Sequence, residues 1–234
     1  MAVDDSYTKS LLHFDGSDAS TTFTDESGKT WTAYGNAQID TALSVFGGAS
    51  LLLDGTGDYI STPDHADWQL DGGSNSNEWT IDFRLYFNGD PGTGFIALVS
   101  QYADDNNRWH IYLNNNNLYF QVTSGGSDII LISNAWNPST ATWYHVAIVK
   151  QGVTGYKMFI DGTQIGSTQT DVSTIPDFAG ALRIGIHTTA FYLNGSVDEF
   201  RFSKGIARWT ANFTPPTSAY APPSSGGIGF FPFF

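Results

Sequence analysis

The chain is 234 residues long and carries 10 Lys plus Arg against 23 Asp plus Glu, a formal net charge of −13. Only 14% of residues are charged, while 15% are aromatic and 41% hydrophobic, ample apolar material for a core and the wrong balance for a disordered chain. This excludes a nucleic-acid reader, which needs a basic patch to displace counterions, and electrostatic attachment to anionic lipid. Zero cysteines exclude disulfides, a thiol nucleophile and Cys-ligated metals.

The first ten residues have no basic stretch followed by an apolar one, so no secretory signal is expected and synthesis in a cytoplasm is. No run of ~18 apolar residues is available to span a membrane. Strand signals then follow along the chain. After residues 49–53, Trp79–Phe87 alternates, with Trp79, Ile81, Phe83, Leu85 and Phe87 on one face and Thr80, Asp82, Arg84 and Tyr86 on the other. Further β-rich runs are 95–100, 108–113, 118–122, 129–132, 143–149, 156–160, 182–186, 191–193 and 197–202.

Between them sit Asp54-Gly55, Asn88-Gly89, the Asn run 114–117, Gly125-Gly126, Asp161-Gly162 and Asn194-Gly195, which tolerate the positive φ of tight hairpins. Residues 64–70 read as one connector turn, and no long helix is predicted. Short strands at spacings of about ten residues predict an all-β, antiparallel two-sheet sandwich. It occupies residues 1–220 as one domain. The composition breaks after Tyr220, where a Pro/Ser/Gly spacer leads into a Phe-rich tail over 221–234.

Three stretches together resemble the laminin-G-like, concanavalin A-like jelly-roll superfamily. They are Leu-Leu-Leu-Asp-Gly-Thr-Gly-Asp-Tyr-Ile at 51–60, Trp-Tyr-His-Val-Ala-Ile-Val at 143–149 with Tyr-Lys-Met-Phe-Ile-Asp-Gly at 156–162, and Leu-Arg-Ile-Gly at 182–185 leading to Asn-Gly-Ser-Val-Asp-Glu-Phe-Arg-Phe at 194–202. The likeness runs over roughly residues 8–220 and implies a jelly-roll sandwich. Residues 203–217 resemble versions of this domain in bacteriophage virion proteins. That likeness implies a virion subunit made in the host cytoplasm, oligomeric, and in contact with other virion subunits and with host-surface carbohydrate. A decoration or assembly subunit without ligand, and a glycoside hydrolase, stand as alternatives.

Glucanases of this superfamily carry Glu-x-Asp-x-x-Glu or a bulged form of it on one strand, and the sequence has no match. Glu78 and Asp82 are four residues apart, farther than a retaining carboxylate pair at ~5–5.5 Å. Asp198 and Glu199 are adjacent and expected on opposite faces. No Gly-x-Ser-x-Gly elbow or His-Glu-x-x-His motif occurs, and the Gly-x-Gly-x-x-Ala match at 92–97 leads into a strand, not a helix. The chain is therefore read as non-enzymatic.

The resemblance also implies a calcium ion held by Asp15 and Asp198, oxygen donors that suit a hard cation; a capping or turn role for both stays open. Sugar binding needs aromatic platforms with amide or charged groups for the hydroxyls. Arg84, Tyr86, His110 and Tyr112 oppose apolar neighbours across the pleat and are the carbohydrate-binding candidates. His145 is expected at a comparable level, and Trp109, Asn114, Asn116 and Trp136 are loop candidates. Core packing is the competing role for Trp79, Trp109 and Trp143. In the tail, Phe230, Phe231, Phe233 and Phe234 would give ~6–12 kcal/mol on full burial; folding back over the chain's own sandwich is one way to bury them, and the spacer, unnecessary for that, points to docking into a neighbouring subunit.

Overall fold

The computed structural model describes residues 5–72, 77–92, 94–188 and 190–223; the four tail phenylalanines lie outside them. Among the described residues the strands are β1 (Thr8–Leu12), β2 (Thr32–Tyr34), β3 (Gln38–Asp40), β4 (Ser50–Asp54), β5 (Tyr59–Thr62), β6 (Trp79–Phe87), β7 (Phe95–Asp104) and β8 (Asn107–Asn114). They continue as β9 (Asn117–Ser124), β10 (Ser127–Ala135), β11 (Trp143–Gln151), β12 (Gly155–Ile160), β13 (Thr163–Thr170), β14 (Ala181–Ile184) and β15 (Asn194–Lys204). One 3-10 turn, Ala66–Trp68, falls inside the predicted connector.

The strands form two antiparallel sheets. The eight-stranded sheet runs β13-β12-β11-β6-β15-β4-β3, with β1 pairing β15; the seven-stranded sheet runs β10-β9-β8-β7-β14-β5-β2. Alternation explains how they stack. Trp79, Ile81, Phe83, Leu85 and Phe87 of β6 are buried and meet the inner face of the other sheet, where Trp79 lies 5.0 Å from Phe120 and Trp109 6.3 Å from Phe202. Trp79 and Trp109 are thus core residues.

Turn chemistry sets several registers. Asn115 and Asn116 take φ of 47° and 58°, the left-handed pair that joins β8 to β9 and tolerates Asn best after Gly. Asn194-Gly195 is not a turn. Gly195 sits within β15, paired to Leu53 and Phe87, and a Cβ there would run into the Tyr86 carbonyl; glycine serves close strand approach. The run 191–193 is irregular and β14 ends at Ile184, because the chain turns out of the sheet at Gly185. Strand β13 (Thr-Gln-Ile-Gly-Ser-Thr-Gln-Thr) is a mostly exposed edge whose polar composition gives no strand signal.

A second apolar layer covers the outer face of the eight-stranded sheet. Ala147, Val149 and Phe159 are buried there beneath Ala207, Trp209 and Phe213. The segment after β15 therefore returns across the sheet as a strap that reaches Tyr220.

Candidate functional site

The four carbohydrate candidates separate onto opposite sides of the sandwich. Arg84 and Tyr86 project from the outer face of the eight-stranded sheet; His110 and Tyr112 project from the outer face of the seven-stranded one. One ligand cannot bridge them.

On the first face the strap closes the surface. Arg84 Nη2 donates to the Pro216 carbonyl at 2.5 Å, and its guanidinium lies 5.6 Å from the Phe46 ring centroid. Tyr86 packs at 5.4 Å against Trp143, its partner in register. Trp143 is half-buried on this outer face, not in the core, because β11 presents Val146 and Ile148 inward instead. Beside them Asp82 is fully buried and accepts from Arg201 Nε and Nη2 at 3.0 and 3.1 Å. Tyr220 donates its hydroxyl to the same carboxylate at 2.5 Å. Burial alone would raise the Asp82 carboxyl, but the Arg201 guanidinium and His145 override it and hold it well below the usual range. Arg201 also faces the Tyr220 ring at 3.7 Å.

His145, expected on an open surface, is fully buried. Its Nε2 lies 3.1 Å from the Tyr220 hydroxyl, and the Trp209 and Phe213 rings meet it edge-on. Trp136 is buried between Phe87 and Tyr144, and the Trp109 indole N–H donates to Gln101 inside the core at 2.8 Å. Neither offers a platform to a ligand. Asn116 uses its carbonyl to accept from the Trp136 amide.

The second face is different in kind. Tyr119, Tyr112 and Phe95 form a column: Tyr119 stacks on Tyr112 at 4.6 Å and 3°, and Tyr112 on Phe95 at 4.2 Å and 13°. Phe191, 49% exposed, packs on Phe95 at 4.9 Å. Tyr112 and His110 are buried within this assembly, at 6% and 2% exposure. They were expected as contact surfaces; they are its floor, because Phe95, Tyr119 and His187 crowd around them. The half-buried Phe95 and Tyr119 and the exposed Phe191 are what solvent meets.

Polar groups are threaded through the column. Tyr112 donates its hydroxyl to Gln121 Oε1 at 2.8 Å, and His110 Nε2 lies 3.0 Å from the same oxygen. That acceptor assigns the His110 proton to Nε2. Among the described residues, His110 Nδ1 and both ring nitrogens of His187 are buried without a partner. Burial first, and then His187, depress His110 to about 3; burial and then Arg108 depress His187 to about 4. Both imidazoles are neutral at physiological pH.

The calcium candidates meet the loop between β3 and β4. Asp198 Oδ2 accepts from the Val45 and Phe46 amides at 2.7 and 3.1 Å, while Oδ1 is buried without a partner among the described residues. Burial pushes this carboxyl up to about 6 against the pull of those two amides. Asp15 is exposed, and its carboxylate lies where a Cβ on Gly47 would sit. Glu199 is not on the opposite face from Asp198. A bulge between Asp198 and Arg201, with Glu199 at φ 51°, lets both act on the outer side. Glu199 Oε1 pairs with His13 at 2.7 Å and Oε2 accepts from the Tyr220 amide at 2.9 Å. That bond to Glu199 raises His13.

Two carboxylates fit a hard cation in kind, and its six to eight ligands would be completed by main-chain oxygen and water. Among the described residues no three His, Cys, Asp or Glu side chains converge to hold a metal ion, and no helix is long and apolar enough to cross a membrane.

Several sequence signals for the column were weak. Phe95 begins a strand whose pattern is interrupted by a bulge between Ala97 and Val99, and His187 and Phe191 arrive on an irregular loop that no periodicity marks.

A family model of the concanavalin A-like lectin/glucanases superfamily matches residues 54–208. A search of curated proteins returns no match. Among solved structures, domain 4 of an extracellular arabinanase from Geobacillus stearothermophilus, in complex with arabinotriose, superposes with TM-score 0.64 at 18% identity, over 86% of this chain and 93% of that one. The botulinum neurotoxin serotype G binding domain gives TM-score 0.64 at 12% identity over 86% of this chain. The serotype D binding domain gives 0.63 at 14% over 84%. The chain spans about half the length of either toxin domain, 48% in each case. At these identities the likeness establishes the fold.

Proposed function

Because the chain belongs to the concanavalin A-like lectin/glucanases superfamily, we propose that it is a non-catalytic carbohydrate-binding domain whose ligand lies on the outer face of the seven-stranded sheet. The observation that carries this is the stacked column of Tyr119, Tyr112 and Phe95, with Phe191 tilted against its end, beside imidazole nitrogens that have no partner among the described residues. Within the column the facing ring faces are spent on one another, so the half-buried Tyr119 at its end and the exposed Phe191 are the rings left to take the C–H face of a sugar, and a buried, unpaired acceptor is worth satisfying with a hydroxyl. The nitrogens are screened by the Phe95 and Phe191 rings, so a hydroxyl reaches them when the exposed Phe191 ring turns aside. The arabinanase domain of the same fold is seen with arabinotriose.

The non-catalytic part is supported by where the carboxylates go. Asp82 is locked to Arg201 and Tyr220, Glu78 accepts from the Gly152 and Ala207 amides, and Glu199 is held by His13 and Tyr220. None stands free beside a partner at glycosidase spacing. The virion reading rests on the likeness of residues 203–217. The strap carries Tyr220 to the eight-stranded side, opposite the column, so a tail docked into a neighbouring subunit would leave the ligand face turned outward.

A glycan array followed by calorimetry tests the reading. Tyr119→Ala and Phe191→Ala should each weaken the best glycan about tenfold, the scale of one lost stacking contact with its buried area. Arg84→Ala should leave it unchanged. No binding by the wild type, or an equal loss in Arg84→Ala, would overturn the assignment. Release of reducing sugar from a β-glucan that vanishes in Asp82→Asn or Glu78→Gln would overturn the non-catalytic part.

A further inference from the structure

We infer that the cleft where β15 ends binds a phosphate monoester, with the phosphate between Lys9 and Lys204 and the organic part against the Tyr7 ring. The cleft is separate from the aromatic column: Lys204 pairs with Trp79 on the eight-stranded sheet, whereas the column stands on the seven-stranded one. It encloses about 530 Å³, within the ~300–1,000 Å³ of small-molecule sites. Its lining brings together Tyr7 and Lys9 from the N-terminal segment, Asp67 from the 3-10 turn, and Lys204 with Gly205.

Local structure aims these groups at one another. The pairing of β1 with β15 slips between Thr8 and Ser10, and Lys9 is the residue at that irregularity, where a bulge turns a side chain out of the ladder. Lys204 donates its amide to the Tyr7 carbonyl at 2.9 Å, which brings the following residue beneath the Tyr7 ring. That residue is Gly205, at φ 91°, and a Cβ there would approach Tyr7 Cδ1 to 3.2 Å. The ring is thereby held at the cleft wall and stays 42% exposed.

Charge is what singles out the cleft. Of the ten Lys and Arg, four reach a carboxylate among the described residues: Lys29, Lys150, Arg201 and Arg208. Lys9 and Lys204 do not. Their Nζ atoms donate to the Ser6 and Ala66 carbonyls at 2.8 and 2.9 Å, which leaves each ammonium further protons to give. Asp67, the carboxylate among the described lining residues, is taken by Lys29 at 2.8 Å. Burial lowers the Lys204 ammonium, and Lys9 adds to that while Asp67 and Asp177 oppose it. Two cations thus share one cleft and repel each other in a chain of net charge −13. An anion between them relieves that repulsion.

The donors select the class of anion. Guanidinium forks suit planar carboxylates, whereas ammoniums act as point charges and suit phosphate. A phosphate monoester carries about −1.5 to −2 at pH 7, which matches two lysines. The cleft is larger than a phosphate ion needs, and the Tyr7 ring offers apolar surface to the remainder of the ligand.

The test titrates the full chain by calorimetry at pH 7 and low ionic strength with phenyl phosphate, inorganic phosphate and benzoate. Phenyl phosphate should bind more tightly than inorganic phosphate and at least tenfold more tightly than benzoate. Lys9→Met and Lys204→Met should each weaken phenyl phosphate about tenfold, the scale of one charge-assisted hydrogen bond. Tyr7→Ala should weaken phenyl phosphate and leave inorganic phosphate unchanged. Lys157→Met, at a lysine that donates to the Thr210 carbonyl outside the cleft, should change neither. Circular dichroism confirms that each variant folds. No binding of phenyl phosphate, benzoate bound as tightly, or an equal loss in Lys157→Met would overturn the inference, and none of these results bears on the glycan array.

Discussion

Replacing Arg201 by Met tests whether Asp82 is a structural lock. Asp82 is fully buried and Arg201 only 7% exposed, and the guanidinium makes both the bidentate contact and the face-on contact with Tyr220. Arg201→Met keeps the stem and removes the charge, leaving Asp82 with the Tyr220 hydroxyl and a His145 nitrogen at 3.5 Å. Stranding one member of a buried pair costs about 3–5 kcal/mol. With about 2.1 cal/mol/K of unfolding entropy per residue over 234 residues, that lowers Tm by about 6–10 °C. Calorimetry at pH 7 reads it directly. The double variant Arg201→Met with Asp82→Leu should be more stable than Arg201→Met alone, because the uncompensated charge is gone. The pH dependence has a definite sign. Asp82 is depressed in the folded state, so its contribution is present above the ordinary carboxyl range and lost as pH falls below it. The deficit of Arg201→Met should accordingly shrink toward pH 3. A single variant within 1 kcal/mol of wild type, roughly the worth of an exposed pair, or a double variant no better than the single, would refute the lock.

Asp198 should behave with the opposite sign: raised to about 6 from an ordinary value near 3.8, it costs stability as pH rises from about 4 to 6. In EDTA above pH 6, Asp198→Asn should therefore be about 3 kcal/mol more stable than wild type by denaturant titration, with the gain fading below pH 4; calcium should lift the Tm of wild type and not of the variant. For the tail, deleting residues 221–234 should abolish self-association in analytical ultracentrifugation and leave Tm nearly unchanged. A large loss of Tm, or an unchanged sedimentation profile, would defeat the docking role.

Much of the fold was legible because strand alternation is local. The 79–87 run specifies its own inner and outer sets, and each lands where the pattern puts it. Edges were not legible. Strand β13 has no apolar face to announce it, and Asn194-Gly195 carries turn chemistry yet pairs inside β15, since a missing side chain serves close approach as well as positive φ. The site was half legible for a related reason. Alternation says that His110 and Tyr112 point outward, but not what lies on top of them; Phe95 and a loop from beyond β14 bury both. In the same way Arg84 and His145 point outward into a strap that begins after β15.

Outward orientation and exposure are thus different properties here, and the difference separates the two faces. The eight-stranded sheet carries a buried ion pair on its outer side, Asp82 with Arg201, beside the buried His145. Those are tolerable only under a cover that supplies partners, and Trp209, Phe213 and Tyr220 supply it. Opening that face to a ligand would expose the apolar cover and strand the charges together. The seven-stranded sheet carries neutral rings and neutral imidazoles instead, which can exchange water for a ligand without uncompensated charge. Ligand binding there, as proposed, would cost the domain little of its own stability. Surface aromatics on that sheet are therefore the place where substitutions should alter recognition while leaving Tm nearly fixed, and the strap is where they should do the reverse.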